Sequence, residues 1–203
     1  MTNGYTGRQV AQAMLDYYNI NDVKIVPHKG TLTDHYNPRN KTIALSEPVY
    51  NSISISAAAV AAHECGHAIQ HATQYKAMSL RTWMVPVIQF SSRIQQFLFF
   101  GIILGVGTEI LESNLGLSIL SLTFGMTALF AIITLPVEFN ASKRALEWLD
   151  DTDMAKDGIE YEGAKIGLKW AAMTYVANAL CAFVVFLYFG WQLLTNKRQK
   201  ELV

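Results

Sequence analysis

From Leu115 to Val137 the chain runs for 23 residues without a charged side chain, and no other stretch constrains its fold as strongly. At a rise of ~1.5 Å per residue, a helix of that length crosses the ~30 Å hydrocarbon layer of a bilayer while satisfying its own backbone hydrogen bonds. Ala171 to Leu194 is equally free of charge and carries Tyr188 and Trp191 near one end, where interface anchors belong. Trp83 to Gly107 is mostly apolar but holds Arg93, Gln95 and Gln96. A span over roughly residues 88–108, with Arg93 reaching to an interface, is the favoured reading.

Composition supports a membrane protein. Apolar residues make up 51% of the chain and charged residues 16%, with no net charge and no basic stripe, so nucleic acid is not an expected partner. The loop Thr108-Glu-Ile-Leu-Glu-Ser-Asn114 lacks Lys and Arg and is expected outside. Lys76, Arg81, Lys143, Arg144, Lys156, Lys165 and Lys169 then lie on the cytoplasmic side. A third crossing places Lys197, Arg198 and Lys200 outside, against the same rule, and the larger group decides the orientation.

The first 76 residues read as a soluble fold. Thr6-x-x-Gln9 forms a capping box for a helix with Val10, Ala13, Met14 and Tyr17 on one face. Asp22 to Val26 reads as a strand, and Asn37-Pro38-Arg39-Asn40 as a turn before a second strand, Thr42 to Leu45, giving a short β-hairpin. The free edge of this second strand is a place for an extended peptide to add by main-chain hydrogen bonds; the alternative is a hairpin that only supports its neighbour.

Beyond that strand comes His63-Glu64-Cys65-Gly66-His67, in an alanine-rich stretch with no proline between Pro48 and Pro86. On a helix, residues four apart share a face, so His63 and His67 can converge on one metal ion, with Glu64 at the rim to take a proton from a metal-activated water. His71 continues the stripe, but His63 and His71 start about 12 Å apart along a helix, too far to share an ion with bonds near 2 Å. It reads as a group outside the ligand set, on the substrate side, or simply as an exposed polar residue near the helix end. Small residues, with Gly66, let another element pack close.

All five histidines lie at or before position 71, so a third ligand downstream must be a carboxylate. Glu138 follows the apolar run, and a helix there puts Glu138, Ala141, Ser142 and Ala145 on one face, with Ser142 placed to orient a ligand. From the residues alone, Glu138 reads equally as a ligand and as the water boundary of a membrane helix.

Several motifs in order carry a resemblance: Leu32-Thr-Asp-His35-Tyr36 with Pro38-Arg39 and Leu45-Ser46, Ala-Ala-His63-Glu64-x-Gly66-His67-Ala-Ile-Gln, Val85-Pro86, Thr134-Leu-Pro-Val-Glu138-Phe-Asn140-Ala-Ser142-x-Arg144-Ala-Leu146, and Ala171-Ala-x-Thr174-Tyr175-Val176. The chain resembles the YugP-type bacterial membrane zinc metallopeptidases, of the neutral zinc metallopeptidase family, and more distantly the HtpX-type membrane proteases. The latter resemblance makes Glu138 the expected third zinc ligand.

The resulting expectation is a mainly α membrane protein with a small α+β gluzincin-like catalytic domain, a short β-hairpin and two or three transmembrane helices. Its parts are a catalytic region over residues 1–82, a transmembrane hairpin over 83–137, a membrane-proximal helix and charged connection over 138–170, a span over 171–194 and a basic tail over 195–203. The expected activity is peptide-bond hydrolysis with one zinc ion per chain, Glu64 as general base, and membrane-associated proteins or peptides as substrates. The bilayer itself is the other partner, in a multi-pass protein of a bacterial cell (inner) membrane. His35, Tyr36, His71 and Tyr175 are donors by residue type for the developing oxyanion, and Asp34 can orient an imidazole. Cys65 and Cys181 imply no disulfide framework. The rival readings are an intramembrane, site-2-like metalloprotease, in which the histidine helix itself spans, and a non-catalytic zinc-binding membrane interaction protein.

Overall fold

The computed structural model describes residues 4–105, 109, 113–155 and 158–201, the side chains of 197–201 excepted. The chain divides into two compact units: residues 1–79 with 136–174, and residues 80–135 with 175–203. In chain order the elements are α1 (Gly7–Tyr17), β1 (Lys24–His28), β2 (His35–Asn37), β3 (Thr42–Ser46), α2 (Glu47–Tyr50), α3 (Ile55–Ala72), α4 (Lys76–Ile103), α5 (Asn114–Asp151) and α6 (Gly158–Glu201).

In the first unit, α1 begins at the Thr6–Gln9 capping box, with each side chain bonded to the other residue's backbone. Its buried face is Val10, Ala11, Met14 and Leu15, whereas Tyr17, expected on that face, is exposed. Ala11 and Leu15 complete the buried stripe with Val10 and Met14, so the helix turns Tyr17 outward.

The sheet is mixed, in the order β1-β3-β2. β2 and β3 form an antiparallel hairpin around the Pro38–Lys41 turn, while β1 pairs in parallel with the other side of β3. The turn expected at Asn37–Asn40 is there, but its partner strand is His35–Asn37 rather than Asp22–Val26. β3, the strand expected to offer an open edge, is central and almost wholly buried, and the free edges belong to β1 and β2. Pro27, which cannot donate to a ladder, sits on an edge strand as required.

Ser54 caps α3 by accepting from Ala57 N. The alanines of α3 then pack against α1, β3 and the later part of α5 in one core, with Ile43, Leu45, Ile69, Val137 and Trp148 among its large buried members.

The second unit has the opposite pattern. Leu117, Leu120 and Phe189 form a small interior, whereas Phe97, Ile103, Leu122, Val184 and Trp191 are exposed. Large apolar side chains facing outward from long helices match a hydrocarbon surrounding. Two described helices are long and apolar enough to cross a membrane, Asn114–Asp151 and Gly158–Asn196. The described part of the span expected at 88–108 belongs to α4, which is not among them; residues 106–108 lie outside the described set, as does most of the loop expected to face outside.

Candidate metal centre

The first unit brings together two helices at the histidine pair. Gly66 is the point of closest approach: a Cβ there would lie 2.6 Å from Ala141 O and 3.0 Å from Ala141 Cα. Backbone cannot yield as a flexible side chain can, so only glycine lets α5 come this near. Gly66→Ala gains ~1 kcal/mol of helix propensity but incurs an overpacking cost of about 1–3 kcal/mol. The expected net result is a lower melting temperature together with weaker metal retention, measurable on the same purified sample.

At this contact, His63, His67 and Glu138 each offer one donor atom, and the three atoms lie within 4.8 Å of one another. Glu138 Oε2 is 3.3 Å from His63 Nε2 and 3.5 Å from His67 Nε2. A tetrahedral zinc with bonds of ~2.0–2.1 Å sets its ligand atoms about 3.3–3.4 Å apart, which the two separations between Glu138 and the imidazoles match. Glu138 is 1% exposed and His67 6% exposed, which removes water as a competing partner. Burial opposes a charge on His67, yet the adjacent Glu138 and Glu64 carboxylates outweigh it and raise its pKa above the ordinary value. This pocket favours a cation among its donors.

Glu64 is also buried and accepts no hydrogen bond from another described residue. Ser142 Oγ lies 3.1 Å from His63 Nδ1, on the opposite side of the ring from Glu138. Glu138, Ala141, Ser142 and Ala145 form one buried face of α5.

Other residues singled out by type lie elsewhere. His71 Nδ1 is 2.8 Å from Tyr36 Oη, in a polar depression with Asp22, Lys41 and Gln74. Burial there, with the Asp22 charge, pushes the Tyr36 phenol up to about 12. His35 is exposed; its Nδ1 bonds Thr33 O and its ring meets His28 edge to face. Asp34 orients no imidazole: its carboxylate accepts from Ser46 N and Ser46 Oγ. Tyr175 belongs to the second unit. Cys65 points into the core, with Sγ 3.4 Å from Ala11 O, and burial pushes its thiol pKa well up, away from a thiolate ligand.

The sequence reading assigned no role to Gln70. It is fully buried, with Oε1 3.0 Å from His67 Nδ1 and Nε2 2.7 Å from Val137 O and 3.0 Å from Asn140 Oδ1. Arg144 Nε donates to the same Asn140 oxygen at 2.9 Å. The available signal was the spacing: Gln70 lies one turn beyond His67, and Asn140 one turn before Arg144.

Over residues 1–193 the chain matches the protein family described as "Putative neutral zinc metallopeptidase". It is 43% identical over 189 residues to a protein of Bacillus subtilis (strain 168) named "Putative membrane protease YugP", a match covering 93% of this chain and 80% of that protein. No solved structure gives a significant match.

Proposed function

Because the chain belongs to the neutral zinc metallopeptidase family, we propose that it is a membrane-embedded zinc metalloprotease that hydrolyses peptide bonds at the membrane surface. The observation that carries this reading is the convergence of His63, His67 and Glu138, from two helices, beside a buried carboxylate on the intervening turn. His63 and His67 would hold the ion through their Nε2 atoms and Glu138 through a carboxylate oxygen, three protein donors as a catalytic rather than a structural zinc site would use. Zinc bound there supplies Lewis acidity, polarising the scissile carbonyl and making water acidic enough to lose a proton near neutral pH.

Glu64 does the proton work. Its carboxylate takes a proton from the water as the oxygen adds to the carbonyl carbon, then gives it to the amide nitrogen as the C–N bond breaks. Ser142 steadies the His63 ring through Nδ1. A purely structural zinc site closes its fourth position with protein and has no use for such a base, which disfavours the interaction-protein reading. The histidine helix α3 is not among the described helices long and apolar enough to span, which disfavours the intramembrane reading.

Substrates are membrane-associated proteins or peptides, because Glu138 directly follows the apolar run ending at Val137. The catalytic face is cytoplasmic, from the lysines and arginines on that side. The test uses purified protein in detergent. About one zinc per chain is expected, with peptide cleavage that is lost to a chelator and restored by zinc. Protein that takes up no zinc, or cleavage indifferent to the chelator, overturns the proposal.

A further inference from the structure

The hydrogen bonds behind His67 have a direction, and that direction gives Arg144 a role. A guanidinium only donates, so the Asn140 atom that Arg144 Nε meets at 2.9 Å is an oxygen, Oδ1. The Gln70 atom 3.0 Å from that oxygen must then be its nitrogen. A main-chain carbonyl only accepts, and Val137 O, 2.7 Å from the same Gln70 nitrogen, requires the same orientation. Both N–H groups of the Gln70 amide are thus committed, and Oε1 alone is left for His67, 3.0 Å from Nδ1. An amide oxygen accepts and cannot donate, so Nδ1 carries the hydrogen. The lone pair of the neutral ring is left on Nε2, the atom that faces Glu138 at 3.5 Å.

This arrangement opposes the local preference. A carboxylate beside Nε2 would by itself draw the ring hydrogen to that nitrogen, where it blocks metal binding. Gln70 and Val137 are fully buried, so water cannot substitute for the bond between them. His63 has no equivalent, because the Ser142 hydroxyl beside its Nδ1 can donate or accept. We infer that Arg144, acting through Asn140 and Gln70, is a positioning residue that holds His67 in the Nδ1-protonated tautomer and presents its Nε2 lone pair to the ion. The inference rests on the reading of His67 as a metal donor, but the tautomer is a property of the metal-free protein.

The test exploits the direction. Metal-free protein with 15N-labelled histidine, examined at alkaline pH where the imidazole is neutral, should show His67 as the Nδ1–H tautomer. Two nearly isosteric variants should then differ. Asn140→Asp keeps an acceptor toward both Gln70 and Arg144, whereas Gln70→Met fills similar space but removes the acceptor that holds the hydrogen on His67 Nδ1. Zinc affinity, measured by chelator competition, should stay within about threefold of wild type in Asn140→Asp and fall about 10–100-fold in Gln70→Met. Arg144→Leu should weaken binding, and Arg144→Lys, which restores a donor, should recover part of it. An Nε2–H signature in wild type overturns the inference, and this readout needs no variant to fold. Equal effects of Asn140→Asp and Gln70→Met also overturn it, since a packing role needs only the filled space and not the acceptor. Failure of the metalloprotease reading would be seen separately, as wild-type protein that binds no zinc while its ring nitrogens still report the tautomer.

Discussion

Glu64→Gln is expected to abolish peptide cleavage while leaving zinc bound. The substitution keeps the shape of the side chain and removes its ability to take a proton, and a positioned general base contributes about 10²–10⁴ to rate. Glu64 is no member of the three-atom donor group, and it accepts no hydrogen bond from another described residue. The amide therefore disturbs no hydrogen bond that shapes the site, and it relieves the cost of a buried charge. Metal content and melting temperature should stay near wild type. Turnover should fall by about a hundredfold or more at every pH tested. A zinc-loaded variant that still cleaves at a rate within about tenfold of wild type would show that another group moves the proton.

The parts of this arrangement that could be read in the sequence are those with a short-range signature. The alanine run announces α3, and a helix puts His63 and His67 one turn apart whatever surrounds it. The i, i+3, i+4, i+7 spacing of Glu138, Ala141, Ser142 and Ala145 likewise makes a single face. β2 escaped because three residues are too few for a period of two to register. The parallel pairing of β1 with β3 joins segments whose order along the chain gives no hint of a partner. Glu138 has the same local signature as a residue capping a membrane span. Its alternative role depends on meeting two imidazoles far away in the chain, a tertiary event that the Gly66–Ala141 approach makes possible. Gln70 shows its spacing from His67 in the sequence but not its partners: its acceptors, Val137 O and Asn140 Oδ1, belong to another helix, and one is backbone with no sequence signature.

Loss of the third donor should have the other large effect. In Glu138→Ala, two imidazoles remain, both neutral ligands, and the only anion of the donor group is gone. The deletion also leaves a void at a position 1% exposed, so a weakened site and a loosened α3–α5 contact are expected together. Glu138→Gln separates the two causes, because it fills the space and retains an oxygen but carries no charge. If the anion is what holds the ion, both variants lose zinc affinity by more than the about 10–100-fold typical of an outer partner, and only Glu138→Ala lowers the melting temperature strongly in metal-free protein. The second readout is stabilisation by the metal. Zinc at about a thousand times its Kd should stabilise wild type by about 4 kcal/mol, and a loss of about a hundredfold or more cuts that to about 1.4 kcal/mol or less in either variant. Full zinc retention by both variants would place the third ligand elsewhere, and retention by Glu138→Gln alone would show that an oxygen in that position, without its charge, is enough.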